Sequence, residues 1–118
     1  MLVDDEEIII DVSIEMLERL GYKVLKAIGG KEAISEYQAN SAKIDLVILD
    51  LIMPKISGGE VYDKLKEINP EVKVLLSSGY SVEGQATEIL KRGCNDFIQK
   101  PFNMEELSRK VNKILDSE

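Results

Sequence analysis

Short apolar runs alternate along the chain with longer segments in which apolar residues recur at helical spacing. Residues 46–49 are apolar throughout and are flanked by Asp45 and Asp50, which predicts a strand buried on both faces. Residues 58–68 instead place three aliphatic side chains on one face, as an amphipathic helix does. The same pattern predicts strands at residues 1–3, 22–27, 46–49, 72–76 and 97–98, and helices at residues 8–20, 31–39, 58–68, 82–92 and 103–115.

Glycine and asparagine mark the ends of several predicted helices. Gly21 and Gly93 follow the first and fourth helices, where glycine readily adopts the left-handed conformation that ends a helix. Asn103 and Glu106 have the spacing of a capping box at the start of the last helix. These signals support the helix boundaries independently of the hydrophobic pattern.

Five alternations of strand and helix predict an α/β fold, with a parallel sheet covered by helices on both faces. Five strands suit an open doubly wound sheet, and such sheets bind ligands at the carboxyl ends of their strands. No linker or repeat interrupts the 118 residues, so residues 1–118 are expected to form one domain.

Charge and composition exclude several functional classes. With 15 Lys and Arg against 22 Asp and Glu, the net charge is −7, which disfavours nucleic acid and anionic membranes as direct partners. The chain has no histidine, which excludes histidine-based catalysis and histidine-ligated metals. Cys94 is the only cysteine and is interpreted as a small packed residue, with a reactive thiol as the alternative. No signal peptide or membrane span is visible, and we expect a cytoplasmic protein.

Polar residues with a capacity for chemistry follow four of the five predicted strands. Asp4 and Asp5 open the first helix, where they could cap it or provide oxygen ligands to a hard divalent cation. Asp50 ends the third strand, where a turn aspartate is the structural alternative. If the first and third strands are neighbours, the three carboxylates crowd together and repel unless a cation neutralises them.

The fourth and fifth strands end in Ser77-Ser78 and Lys100. Each alone would suit a turn serine and a solvated lysine. The bond from Lys100 to Pro101 is expected to be cis, which would aim the lysine side chain. Lys100 could then hold a phosphoryl oxygen and Ser78 could donate a hydrogen bond to it. The set suits phosphoryl transfer to Asp50, giving an aspartyl phosphate.

Four segments carry a resemblance to a known family, and together they extend over essentially the whole chain. They resemble the acidic, phosphoacceptor and strand-end motifs of receiver domains of two-component signalling, which are flavodoxin-like. The resemblance implies the strand order 2-1-3-4-5 and a response regulator function. The segments are residues 2–6, 46–54 with Gly58, 75–80 and 96–102.

The resemblance implies a role for each matching residue. Asp50 would be phosphorylated in a reaction that needs Mg²⁺ (or Mn²⁺). The cation would be held by Asp50, the main-chain carbonyl of Ile52, Asp5 directly and Asp4 through water. Such a domain catalyses its own phosphorylation and dephosphorylation without being a conventional enzyme.

A switch is also implied. Ser78 takes the position of the switch hydroxyl, with Ser77 as the less favoured alternative, and Phe97, expected to be half-buried, matches the switch aromatic. Phosphorylation would rearrange the face formed by the fourth helix, fifth strand and fifth helix. That face would regulate an output domain or protein partner, and homodimerisation through it is left open.

Two features depart from the family pattern. The first strand is short, which indicates a shortened start or a module cut from a longer protein. Ile52 and Tyr80 are bulky and flank the approach of hydrolytic water, so we hypothesise slow loss of phosphate.

The phosphodonor must lie outside this segment, because a phosphohistidine donor needs a histidine. A histidine kinase or a phosphotransfer domain is the expected phosphodonor. The sequence of residues 53–102 resembles receivers attached to hybrid histidine kinases. Alternatives are an unphosphorylated pseudo-receiver, a haloacid-dehalogenase-type phosphatase and a flavodoxin. The phosphatase requires a second aspartate at position 52, where this chain has Ile52. A flavodoxin binds phosphate after its first strand, where the acidic residues 4–7 of this chain would repel it.

Overall fold

The protein, in a computed structural model that describes residues 1–79 and 85–116, is built on a five-stranded parallel sheet. The strand order is β2-β1-β3-β4-β5, and every neighbouring pair runs parallel. This confirms the predicted doubly wound α/β architecture. The strands are β1 Leu2–Asp4, β2 Lys26–Ile28, β3 Val47–Asp50, β4 Val74–Ser78 and β5 Asp96–Gln99.

Helices cover both faces of this sheet. Alternate strand residues point to opposite faces, so β3 sends Leu49 into one core and Ile48 into the other. Helices α1 (Glu7–Arg19) and α5 (Met104–Asp116) cover the Ile48 face, and helices α2 (Gly30–Asn40), α3 (Gly58–Ile68) and α4 (Gln85–Lys91) cover the Leu49 face. No helix in the described ranges combines the length and apolar character needed to cross a membrane. A short 3₁₀ helix at Ser41–Lys43 follows α2 directly.

The predicted helix ends are confirmed where they are described. Gly21 and Gly93 have φ of 95° and 109°, the left-handed region that glycine adopts without strain. Asn103 Oδ1 accepts a hydrogen bond of 2.8 Å from the Glu106 N–H. The predicted fourth helix begins at Val82, but residues 80–84 lie outside the described residues.

Two strand predictions were wrong at their boundaries. Residues 22–25 are not strand: Tyr22 instead donates its hydroxyl to Asn112 Oδ1 on α5 at 2.6 Å. Strand β2 pairs with β1, which has three residues, and β2 is limited to the same length. Strand β4 begins at Val74, after a turn in which the Val72 N–H donates to the Asn69 carbonyl.

The start of α3 is pressed against the end of β3. The Gly58 N–H donates to the Leu51 carbonyl at 2.8 Å. A Cβ added to Gly58 would lie 2.6 Å from the Asp50 carbonyl oxygen and 2.6 Å from Leu51 Cα. Both obstacles are backbone atoms of the segment that carries Asp50, so only glycine permits this approach.

Gly58→Ala is therefore expected to lower the free energy of unfolding by about 1–3 kcal/mol, because backbone must move. Gly59→Ala is the matched control. Its added Cβ would first meet the end of the Ile89 side chain at 3.3 Å, and alanine has the better helix propensity. Urea unfolding of both proteins checks the difference, and equal stabilities would contradict the close approach.

Candidate functional site

Three carboxylates come together at the carboxyl edge of the sheet. Asp4 ends β1 and Asp50 ends β3, and these strands are neighbours in the sheet. With Asp5, each offers a carboxylate oxygen, and these three oxygens lie within 4.8 Å of one another. Asp4 and Asp50 are buried, whereas Asp5 is partly exposed. The predicted crowding of Asp4, Asp5 and Asp50 is thus present.

Lys100 spans the two buried carboxylates. Its Nζ donates to Asp4 Oδ2 at 2.7 Å and lies 3.2 Å from Asp50 Oδ1. The backbone of Lys100 is fixed to the end of β4, because its main-chain N–H donates to the Ser78 carbonyl at 2.7 Å. The following bond, from Lys100 to Pro101, is cis. The ends of β1, β3, β4 and β5 therefore meet around one ammonium group.

The electrostatics of the site are unbalanced without a further cation. Burial raises the pKa of Asp50 to about 7, with Asp4 adding to the rise and Lys100 opposing it. Burial also acts to lower the pKa of Lys100, but Asp4 and Asp50 outweigh it and raise that pKa above its ordinary value. One ammonium faces three carboxylates, so the cluster keeps an excess of negative charge.

The donor set fits a hard divalent cation. Mg²⁺ prefers a few carboxylate oxygens and retains several waters, and the partly exposed Asp5 beside two buried carboxylates suits that preference. The main chain of Ile52 lies beside this carboxylate cluster, since its N–H donates a hydrogen bond to the Asp50 carboxylate. Oxygen ligands without histidine or thiolate disfavour zinc.

A cleft of about 770 Å³ opens over this cluster. Asp50, Ser78 and Lys100 line it, and Ile52 borders it with 53 % of its surface exposed. Both serines at the end of β4 are buried, but of the two only Ser78 lines the cleft beside Asp50. Tyr80, the other predicted neighbour of the approaching water, lies outside the described residues.

Phe97 is more buried than the sequence suggested. It is 5 % exposed and pairs in register with Leu76, so its ring packs in the core between the sheet and helices α2, α3 and α4. The half-buried prediction was wrong because β5, an edge strand of the sheet, is covered on this face. Lys110 of α5, which sequence reasoning missed, contacts the Phe97 carbonyl and lies 3.4 Å from Asp96 Oδ1.

Cys94 is buried, as its interpretation as a small packed residue requires. Its Sγ donates to the Val74 carbonyl at 3.3 Å, and burial raises the pKa of the thiol to about 11. The reactive thiolate is therefore suppressed at neutral pH.

The fold and the site together define a class. A five-stranded parallel sheet in the order 2-1-3-4-5, with a polar site at its carboxyl edge, is the flavodoxin-like α/β architecture. Residues 1–112 match the family model of the response regulator receiver domain, and the chain belongs to that family. It is thus a receiver domain of the two-component response regulators.

Related proteins agree with this assignment. The response regulator SaeR of Staphylococcus epidermidis is 33 % identical over 115 residues, which cover 98 % of this chain and 49 % of SaeR. The chain therefore spans about half the length of the curated relatives it matches. A receiver domain protein from Clostridium thermocellum is 30 % identical with a TM-score of 0.93, covering 98 % of this chain and 91 % of that one. TrrA of Thermotoga maritima, in complex with Mg²⁺ and BeF, is 34 % identical with a TM-score of 0.83, covering 96 % and 95 % of the two chains.

Proposed function

We propose that Asp50 of this receiver domain accepts a phosphoryl group from a phosphohistidine on another protein or domain. The observation that carries the proposal is the contact of Lys100 Nζ with Asp4 and Asp50 at 2.7 and 3.2 Å, beside an open cleft. A histidine kinase or phosphotransfer domain is the donor, because this chain has no histidine. A cytoplasmic location and membership of a hybrid histidine kinase belong to the same proposal.

In the transfer, an Asp50 carboxylate oxygen attacks the phosphorus and the bond to the donor nitrogen breaks. Lys100 holds a phosphoryl oxygen as a point charge, and the Ser78 hydroxyl donates a hydrogen bond to another. Asp5, Asp50 and the Ile52 main-chain carbonyl, with Asp4 through water, would hold Mg²⁺ (or Mn²⁺), which neutralises charge on the transferred group. Positioning and charge therefore account for most of the catalysis.

Phosphorylation would change the output face through Ser78 and Phe97. Ser78 lies two residues after Leu76, the register partner of Phe97, so all three share one face of the sheet. When Ser78 turns towards the phosphoryl group, the buried Phe97 ring can change rotamer into the space released. The rearranged face, formed by α4, β5 and α5, would then engage an output domain, a protein partner or a second copy of the chain.

The alternative functions fit the site less well. A pseudo-receiver would have no use for a lysine placed between two buried carboxylates. A haloacid-dehalogenase-type phosphatase needs an acid where this chain has the apolar Ile52. A flavodoxin would bind phosphate after β1, where Glu6 and Glu7 are exposed and would repel it.

Incubation with acetyl phosphate and Mg²⁺ is the direct test of the proposal. The intact protein should gain the mass of one phosphoryl group, because the site itself supplies the nucleophile and the neutralising charges. The same incubation with excess chelator is the control and should leave the mass unchanged. A parent protein that stays unlabelled in Mg²⁺ would contradict the proposal.

Ile52→Asn should speed loss of the phosphoryl group. An amide at this exposed, cleft-lining position can orient water for attack, and one such hydrogen bond is worth about tenfold in rate. The measurement is the decay of the phosphorylated mass after the donor is removed. Ile28→Asn, an exposed isoleucine outside the cleft, is the control and should decay like the parent. Identical decay of all three proteins would defeat the hypothesis of slow phosphate loss through Ile52.

A further inference from the structure

Helix α1 has an apolar stripe that is exposed at its start, whereas its last residue, Met16, is partly buried against the core. Ile8, Val12 and Met16 recur every four residues and so lie along one side of the helix. Ile8 is 80 % exposed and Val12 is 49 % exposed, whereas Ile10 and Leu17 of the same helix are buried against the sheet. The periodicity of the sequence alone does not distinguish these two sides of the helix.

This stripe forms one wall of the cleft that contains Asp50. Pro101 and Phe102 line the cleft as well, and Asp50, Ser78 and Lys100 line it at the carboxyl edge of the sheet. From Ile8 to Met16 the wall extends over two helical turns, about 12 Å. Among the described residues, five large apolar side chains are exposed, and three of them line this cleft: Ile8, Val12 and Ile52. Clustering of this kind marks a binding surface.

The position of the cleft determines which part of a phosphodonor can occupy it. Asp50 is buried at the end of β3, so the phosphoryl group approaches from the cleft side. In an in-line displacement, the leaving group departs on the side of the phosphorus opposite the attacking Asp50 oxygen. The leaving group therefore moves outward into the cleft, along a wall that is mainly apolar.

From this geometry we infer that the α1 stripe binds the alkyl group of acyl phosphates, so that donors with longer alkyl chains phosphorylate Asp50 faster than acetyl phosphate does. The reaction is a displacement at phosphorus. The Asp50 carboxylate oxygen bonds to phosphorus, the bond from phosphorus to the acyl oxygen breaks, and the carboxylate leaves with the electron pair. The inference rests on the proposed function and specifies which small donors the same site prefers.

Charge favours an alkyl occupant over a polar anionic one. Asp4, Asp5 and Asp50 surround the reacting end, and the carboxylate of Glu6 is a further acid lining the cleft. A second anionic group on the donor would be repelled there, whereas an alkyl chain gains by leaving water. The cleft volume of about 770 Å³ leaves room for several carbon atoms beyond the phosphoryl group.

The experiment compares acetyl, propionyl and butyryl phosphate in Mg²⁺, with intact mass as the measure of phosphorylation. Their leaving carboxylates have nearly equal basicity, so differences in rate report binding of the alkyl group. Full burial of a methylene group is worth about fourfold, and half burial in an open cleft about twofold. Butyryl phosphate should therefore have a second-order rate constant about four times that of acetyl phosphate.

Two variants assign the effect to the stripe. Val12→Ser should bring the ratio of butyryl to acetyl rate constants close to one. Leu25→Ser changes a side chain that is 41 % exposed but lies outside this cleft, and should keep the ratio of the parent. Equal rate constants in the parent, or a ratio that is unchanged in Val12→Ser, would overturn the inference. The stripe would then be a contact surface for a protein partner. Failure of acetyl phosphate itself to label Asp50 would instead overturn the proposed function.

Discussion

Asp50→Asn protein should take up no phosphoryl group under conditions in which the parent is fully labelled. Asparagine has the shape of aspartate but lacks a nucleophilic carboxylate oxygen, so the buried end of β3 keeps its packing and loses its chemistry. Intact mass after incubation with acetyl phosphate and Mg²⁺ measures the effect directly. Asp45→Asn, an exposed aspartate just before β3, is the matched control and should label like the parent.

Asp50→Asn should also be more stable than the parent when metal is removed. Because burial raises the pKa of Asp50 from 3.8 to about 7, the folded protein disfavours the charged carboxylate. The destabilisation is absent below pH 4, grows between pH 4 and 7 as the folded-state carboxyl resists ionisation, and is complete above pH 7. Asp50→Asn should therefore gain about 1 kcal/mol or more over the parent at pH 8 in chelator, and little at pH 4.

Two results would count against this account of Asp50. Label that persists in Asp50→Asn would place the acceptor elsewhere in the chain. An Asp50→Asn protein that is less stable than the parent at pH 8 in chelator would mean that the ion pair with Lys100 outweighs the desolvation of the carboxylate.

Lys100→Met should slow phosphorylation by acetyl phosphate by about a hundredfold or more, the usual effect of removing one charged or hydrogen-bonding group at a developing anion. The variant should also lose about 3 kcal/mol of stability in chelator, because Asp4 and Asp50 would stay buried without their counterion. Rate constants from intact mass and urea unfolding at pH 8 measure the two effects.

Conditions that neutralise the carboxylates should restore stability to Lys100→Met. Lowering the pH to 5 protonates Asp50, whose pKa is already raised by burial, and Mg²⁺ supplies positive charge in place of the ammonium. Lys110→Met is the control: Lys110 is a partly buried lysine whose carboxylate partner is Asp96, away from the cleft. If Lys110→Met and Lys100→Met slowed phosphorylation equally, the special role of Lys100 would be lost.

The strand-end residues could be predicted because each depends on local pattern alone. The apolar run before Asp50 predicts a buried strand, and parallel strands place their carboxyl ends at one edge. The positions of Asp4 and Lys100 follow by the same reasoning. What this reasoning could not supply is the distance between them, since Lys100 and Asp4 are 96 residues apart in the chain and meet at 2.7 Å only through the order of the strands.

Other features could not be predicted from the sequence because they depend on packing between elements. The periodicity of α1 cannot tell a stripe that faces the sheet from one that faces a cleft, so it leaves the exposure of Val12 undetermined. The close approach of Gly58 to Leu51 leaves no signal beyond a glycine at the start of a helix. The burial of Phe97 depends on helices that cover the edge strand β5.

By itself the sequence determined the alternation of strands and helices, most helix ends and the set of residues at the carboxyl edge. These follow from periodicity, capping and the geometry of parallel strands, all of which act within a few residues. The tertiary structure alone decided that Lys100 contacts both Asp4 and Asp50 and that part of α1 stays exposed. Those facts arise where strands and helices distant in sequence pack together, and no local pattern encodes the distances between them.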